Sequence, residues 1–217
     1  MRRYWTTCLS LTCVPLLMGQ AAPAPASFDF AGMRFVLPIP PGYCRPQGNA
    51  ALLLRRMAEI DTQNIVHLML ASCGDTQLQR DRIRISTSRT ARDKVLTREA
   101  FLKEYRPSFV GPDKADLSGT LDQAVEMVEK ATGRRADLGG KVEALGMDSV
   151  CGFLGGNLTA TADGKAHPLA GVICLTTVGD RMLQISSTGP SGKPGDLERR
   201  MRLVEAVALS ISAKPIP

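Results

Sequence analysis

Long hydrophobic runs are missing from this 217-residue sequence, and with them any segment of the roughly 20 apolar residues that a membrane-crossing helix requires. No C-x-x-C pair occurs, which leaves a zinc motif without a sequence basis. The G-x-S-x-G nucleophile elbow is also missing. The two histidines, His67 and His167, stand far apart with no marked serine or aspartate partner, so no recognisable hydrolase triad is written into the chain. Aromatic residues are scarce. The single tryptophan is Trp5, and none of the three types occurs between Thr76 and Phe101, where basic residues concentrate. A stacking platform for single-stranded nucleic acid needs both features together. No nucleic acid, cofactor or metal is expected.

What is present begins with residues 1–26, which read as a secretory signal peptide. Arg2 and Arg3 form a positive start, Cys8 to Met18 a short apolar core, and Ala22-Pro23-Ala24 or Ala24-Pro25-Ala26 a small-residue cleavage site. Lipidation at Cys13, the twin-arginine route and an uncleaved anchor are alternatives that the residues favour less. The expected location is periplasmic or secreted. Cleavage after Ala26 leaves residues 27–217, read as one domain, and removes Trp5 together with two positive charges of the formal +6.

Cys44, Cys73, Cys151 and Cys174 remain. In an oxidising compartment an even count reads as disulfides, and four cysteines allow three connectivities. Spacing favours two local bridges, Cys44 with Cys73 and Cys151 with Cys174, each worth about 3 kcal/mol in the loop-entropy model.

Ala31-Gly32 marks a hairpin turn between Phe28–Phe30 and Met33–Leu37, and Pro38 to Gly42 form a stiff link. Asn49 is the expected cap of a helix through Ile60, on the spacing of Leu53, Met57 and Ile60, with a buried strand beginning at Leu52 to Leu54 as the less favoured alternative. Asn64 to Cys73 reads as a strand with Val66, Leu68 and Leu70 on one face and Ile65, His67 and Met69 on the other. Arg82 to Ser88 alternates as a half-buried strand. Thr97 is expected to cap a helix through Tyr105 that Pro107 ends, and Ser118 to open another that Gly133 closes. Two strands, Asp163-Gly164 as a hairpin turn, a return strand from Leu169, a turn at Gly179-Asp180, a strand from Arg181 and an amphipathic helix through Ile211 complete the chain. A two-residue turn at Asp163-Gly164 sets Cys174 opposite Phe153, one diagonal step from Cys151. A bridge there requires a local adjustment, and a glycine bulge at the turn would instead separate the sulfurs. The fold class is α+β, a mainly antiparallel sheet packed between helices.

Met33-Arg34-Phe35-Val36-Leu37-Pro38-Ile39-Pro40-Pro41-Gly42-Tyr43, together with the glycine-rich link into a helix ending Ala208-Leu209-Ser210-Ile211, resembles the PsbP-like family. That resemblance implies an α/β/α sandwich used for binding or assembly, usually without catalysis.

The most uneven charge lies in Thr76 to Arg106, where nine basic residues face four acidic ones. Arg82 and Arg84, with Arg89 and Arg92, are the candidate contacts for an anion or a partner. Ser187 to Gly195 is only superficially like a phosphate loop, because Ser187 and Pro194 stand where glycine and a hydroxyl residue belong. The expected function is an exported, non-catalytic binding or accessory protein of the bacterial envelope, acting on an unidentified envelope protein or an anionic ligand. The alternative is a small periplasmic hydrolase whose groups meet only in three dimensions.

Overall fold

The computed structural model describes residues 24–75, 80–111, 122, 125–126, 128–130, 133, 137–162 and 164–217. Residues 1–23 of the signal-peptide reading and the opening of the helix at Ser118 therefore lie outside the described residues, although Val125 and Val128 are helical; Ala26, the last residue of that reading, is buried at the start of a strand and pairs with Leu37.

The chain is an α+β fold built on antiparallel pairing. An eight-stranded sheet contains β3 (Tyr43–Cys44), β4 (Asn64–Ser72), β5 (Arg82–Ser88), β6 (Asp137–Gly140), β7 (Glu143–Met147), β8 (Gly152–Ala162), β9 (Lys165–Val178) and β10 (Arg181–Pro190). Its spatial order is β3-β4-β5-β10-β9-β8-β6, with β7 also on β8. A separate three-stranded sheet joins β1 (Ala26–Phe30), β2 (Met33–Leu37) and β11 (Ser212–Pro215). Three helices lie wholly among the described residues: α1 (Gly48–Ile60), α2 (Arg98–Phe109) and α3 (Asp196–Ser210).

The first hairpin turns as expected, since Phe30 pairs with Met33 across Ala31 and Gly32, both at positive φ. Helix α1 differs from expectation. Its N-cap is Gln47, which gives no side-chain hydrogen bond, and Asn49 already lies inside the first turn. Thr97 does cap α2, its Oγ1 accepting from the Ala100 amide at 3.2 Å. Pro107 does not end that helix. It sits in the last turn, where one missing N–H is tolerated because Phe109 beyond it is buried.

In β4 the simple alternation fails at His67. The register steps from Val66 opposite Ser86 to Leu68 opposite Ile85, so the bulge returns Ile65, Leu68 and Leu70 to one face. That face belongs to the main core. Ile83, Ile85, Val172, Cys174, Leu183 and Ile185 project from the sheet against Val204, Val207 and Ala208 of α3 and against Phe35 and Leu37 of the small sheet. Helix α2 packs against β7, β8 and β9 on the other side, where the Phe109 ring lies directly over Gly152.

Both local disulfides form, with Cα separations of 5.0 Å for Cys44–Cys73 and 5.2 Å for Cys151–Cys174. Phe153 pairs with Cys174, the register expected of a two-residue turn. The local adjustment is made at Asp148. Its Oδ1 accepts from the Val150 and Cys151 amides, both at 2.7 Å, and folds the chain just ahead of β8. The Thr176 hydroxyl then donates to the Val150 carbonyl at 2.6 Å.

Candidate functional site

The four arginines singled out from the sequence do not converge into one patch. Because Ile83 and Ile85 point into the core, strand alternation sends Arg82 and Arg84 to the opposite face of the sheet. There Arg84 makes an ion pair with the buried carboxylate of Asp61. Arg89 reaches the same turn, donating to the Asp61 carbonyl at 3.4 Å. Asp61 also accepts from the Gln63 and Asn64 amides, so it organises the α1–β4 turn. Burial acts to raise its carboxyl, but Arg84 and these donors hold it below the usual range. Arg92 is exposed beside Asp93. Two of the candidates therefore serve a turn, one faces water, and Arg82 is left.

Arg82 differs from its neighbours. Its Nε, like those of Arg84 and Arg200, is buried without a hydrogen-bond partner, but its guanidinium, unlike theirs, forms no ion pair with any described residue. Burial pulls its pKa down from the ordinary value, Asp75 nearby opposes that shift, and Arg200 adds to it.

A cleft of about 470 Å³ opens where the end of the sheet meets the start of α3, lined among others by Ser72, Arg80, Asp81, Lys193, Asp196 and Arg199. Gly195 at φ 80° lets the chain turn into the helix. Asp196 then reaches back, its Oδ2 accepting from the Gly192 and Lys193 amides at 3.1 and 3.0 Å. The loop that superficially resembles a phosphate loop thus has two of its amides filled by the chain's own carboxylate. Arg199 donates to Asp196 at 2.7 Å and to Asp81 at 3.3 Å. With the amide bonds, that contact depresses the Asp196 carboxyl to about 2. Behind them Arg200 is wholly buried, donating to Asp81 at 2.6 Å, to the Ser187 hydroxyl at 3.1 Å and to the Pro190 carbonyl at 3.1 Å. Arg80, Lys193 and Arg199 are exposed cations at the cleft, and of these Arg80 and Lys193 form no ion pair with a described residue. Sequence reasoning missed this junction because its charges come from segments more than a hundred residues apart.

His67 lies under the first hairpin, stacked on Phe28 at 4.9 Å and tilted against Phe30 at 4.6 Å. Its Nε2 is 2.9 Å from Thr87 Oγ1, and that hydroxyl donates to the Met182 carbonyl. The hydroxyl hydrogen being committed, Nε2 is the donor to Thr87, and the ring is neutral with Nδ1 free of a proton. Burial alone pushes its pKa down to about 4. His167 is exposed in β9, paired across the ladder with Ala160. The two histidines do not share a site. One carboxyl pair does meet: Glu205 of α3 faces Asp148, and burial followed by that neighbour raises the Glu205 carboxyl. Asp148 is the same carboxylate that holds the turn before β8.

No family model and no curated protein sequence matches the chain. Among solved structures it is similar to cyanobacterial PsbP (CyanoP) from Synechocystis sp. PCC 6803, with a TM-score of 0.37, 10% identity, and coverage of 94% of this chain and 98% of that one. It is similar also to the Saccharomyces cerevisiae Ran-binding protein Mog1p, with a TM-score of 0.35, 11% identity, and 86% and 94% coverage. For LpqN, involved in cell envelope biogenesis of Mycobacterium tuberculosis, the TM-score is 0.34, with 11% identity and 88% and 90% coverage. These likenesses are weak, and no residue's role is carried across from them.

Proposed function

We propose that this chain is an exported, non-catalytic binding or accessory protein of the bacterial cell envelope, engaging its partner through the cleft at the start of α3. The observation that carries the reading is how the cleft's ionised groups are used. Asp81, Asp196 and Arg199 are fixed by one another, and the carboxyl of Asp196 is held far below neutral pH. A general acid or base works best with a pKa near the working pH. This network is a rigid, charged surface with Arg80 and Lys193 facing outward, suited to recognition of an acidic group. Two disulfides accord with an oxidising compartment.

The test is crosslinking of the exported protein in its native envelope, comparing wild type with the Arg80→Glu/Lys193→Glu double variant. Reproducible capture of one component that the double variant loses, at an unchanged thermal midpoint, is expected. Turnover in a broad hydrolase screen, together with capture of no component, would overturn the proposal.

A further inference from the structure

The face of the large sheet turned away from α3 holds a half-buried cation, Arg82, that pairs with no described residue. Arg82 stands opposite Thr188 of β10 and Ala71 of β4. Following the ladder, Thr188 faces Gly171 of β9, and Gly171 faces Gly156 of β8. The row beside the guanidinium is therefore alanine, threonine, glycine and glycine. The backbone of Lys141 closes the far end over Gly156, where no side chain fits. Among the described residues, a Cβ at Gly171 would meet only the Thr188 methyl, which leaves the floor beside Arg82 open there.

One pleat along, Arg84 stands opposite Ser186. The hydroxyls of Ser186 and Thr188 make no hydrogen bond among the described residues, and both are half-buried. The charges around Arg82 are few. Arg84 is neutralised by Asp61, Arg200 is bonded to Asp81, and Asp75 nearby favours the Arg82 charge. Buried guanidinium groups are ordinarily paired, because an uncompensated charge is costly to hold in place. Here the pairing group is missing from the described fold, while two hydroxyl donors and an open floor stand beside the cation.

We propose that Arg82 anchors a site for a small phosphate or phosphate-monoester group, with the Thr188 and Ser186 hydroxyls as further donors and Gly171 leaving room for it. Donors from two strands suit the tetrahedral spread of phosphate oxygens better than a planar carboxylate. The site deepens the binding role proposed above by supplying a second, ligand-specific contact, and it can be tested without any partner.

The experiment is titration of the oxidised mature protein with inorganic phosphate, following the Arg82 Nε–Hε signal and the Ser186 and Thr188 amides by NMR. Parallel arms use acetate and anionic phospholipid vesicles. Saturable movement of these signals by phosphate is expected, with acetate weaker, at least tenfold weakening in Arg82→Gln, and a smaller loss in Thr188→Val. Phosphate should raise the thermal midpoint of wild type but not of Arg82→Gln. Without phosphate, the variant should melt no lower than wild type, since it loses an unpaired charge. Three results would overturn the site: no saturable change, a lowered midpoint in Arg82→Gln with no phosphate effect in wild type, or vesicle binding that phosphate does not displace. Phosphate binding with failed envelope capture would sink the accessory role and leave this site standing; the reverse outcome would do the opposite.

Discussion

Arg200 and Asp81 lie 119 positions apart in the chain and are joined at 2.6 Å, with the guanidinium wholly buried. Their contact ties α3 to the turn before β5.

Removing the carboxylate leaves Arg200 with neutral partners only, which is the expensive way to break a buried ion pair. Asp81→Ala should lose about 3 kcal/mol. Asp81→Asn combined with Arg200→Met, which removes both charges, should lose less. Urea unfolding of the oxidised protein at pH 7.5 reads both values. An Asp81→Ala loss within experimental error of zero would show the bond to be dispensable.

The buried ring of His67 makes stability depend on pH with a definite sign. Its folded pKa, about 4, is lower than the ordinary 6.5, so between those values the unfolded chain binds more protons. This contribution is complete above about pH 6.5 and is lost as pH falls toward 4. The full loss is at most about 3 kcal/mol, lessened by the ring's partial exposure. Urea midpoints at pH 7.5, 5.5 and 4.5 should fall steeply for wild type and less for His67→Gln. Parallel curves for the two proteins would refute the assignment.

The two bridges should respond differently to reductant. Cys44 and Cys73 are exposed, whereas Cys151 and Cys174 have no accessible surface. Mild reduction of the native protein followed by alkylation and mass spectrometry should label the first pair alone. The second pair should be labelled only after denaturant is added. Deleting either bridge should cost about 2–5 kcal/mol.

Gly152 is an obligatory gap. A Cβ there would sit 2.5 Å from the Phe109 ring, so Gly152→Ala should destabilise by about 1–3 kcal/mol through displacement of the ring. Adding Phe109→Leu should cost less than the sum of the two single changes. Strict additivity in urea unfolding would mean that the ring is not what fills the space.

The parts of the fold legible in the sequence are those fixed locally. Positive-φ turns at Ala31-Gly32 and Gly179-Asp180, the alternation of Ile83 and Ile85, and the Thr97 cap each act within a few residues. What depends on distant packing was not legible. No strand is expected from the sequence at Ser212–Pro215, whose pairing partner is the distant β2, or at Asp137–Gly140, half of which is glycine. The bulge at His67 leaves no residue signal; its cause is the ring's seat between Phe28, Phe30 and Thr87. The basic segment was visible as composition, yet which arginine lacks a counter-ion depends on Asp61, contributed by the α1–β4 turn. Of the four, Arg84 and Arg89 are held at that turn, Arg92 faces water, and Arg82 forms no ion pair with any described residue.

The pairing of β11 with β2 also sets an order of events. A chain synthesised from its N-terminus makes the Phe30–Met33 hairpin early, but Phe35 waits opposite an empty edge until Ala213 arrives. Until then the apolar side of the hairpin lacks one of its two neighbours, and closing that loop spans nearly the whole domain. Contacts of such sequence separation form late. The small sheet therefore works as a clasp, and a truncation of only the last few residues would leave its β2 edge bare.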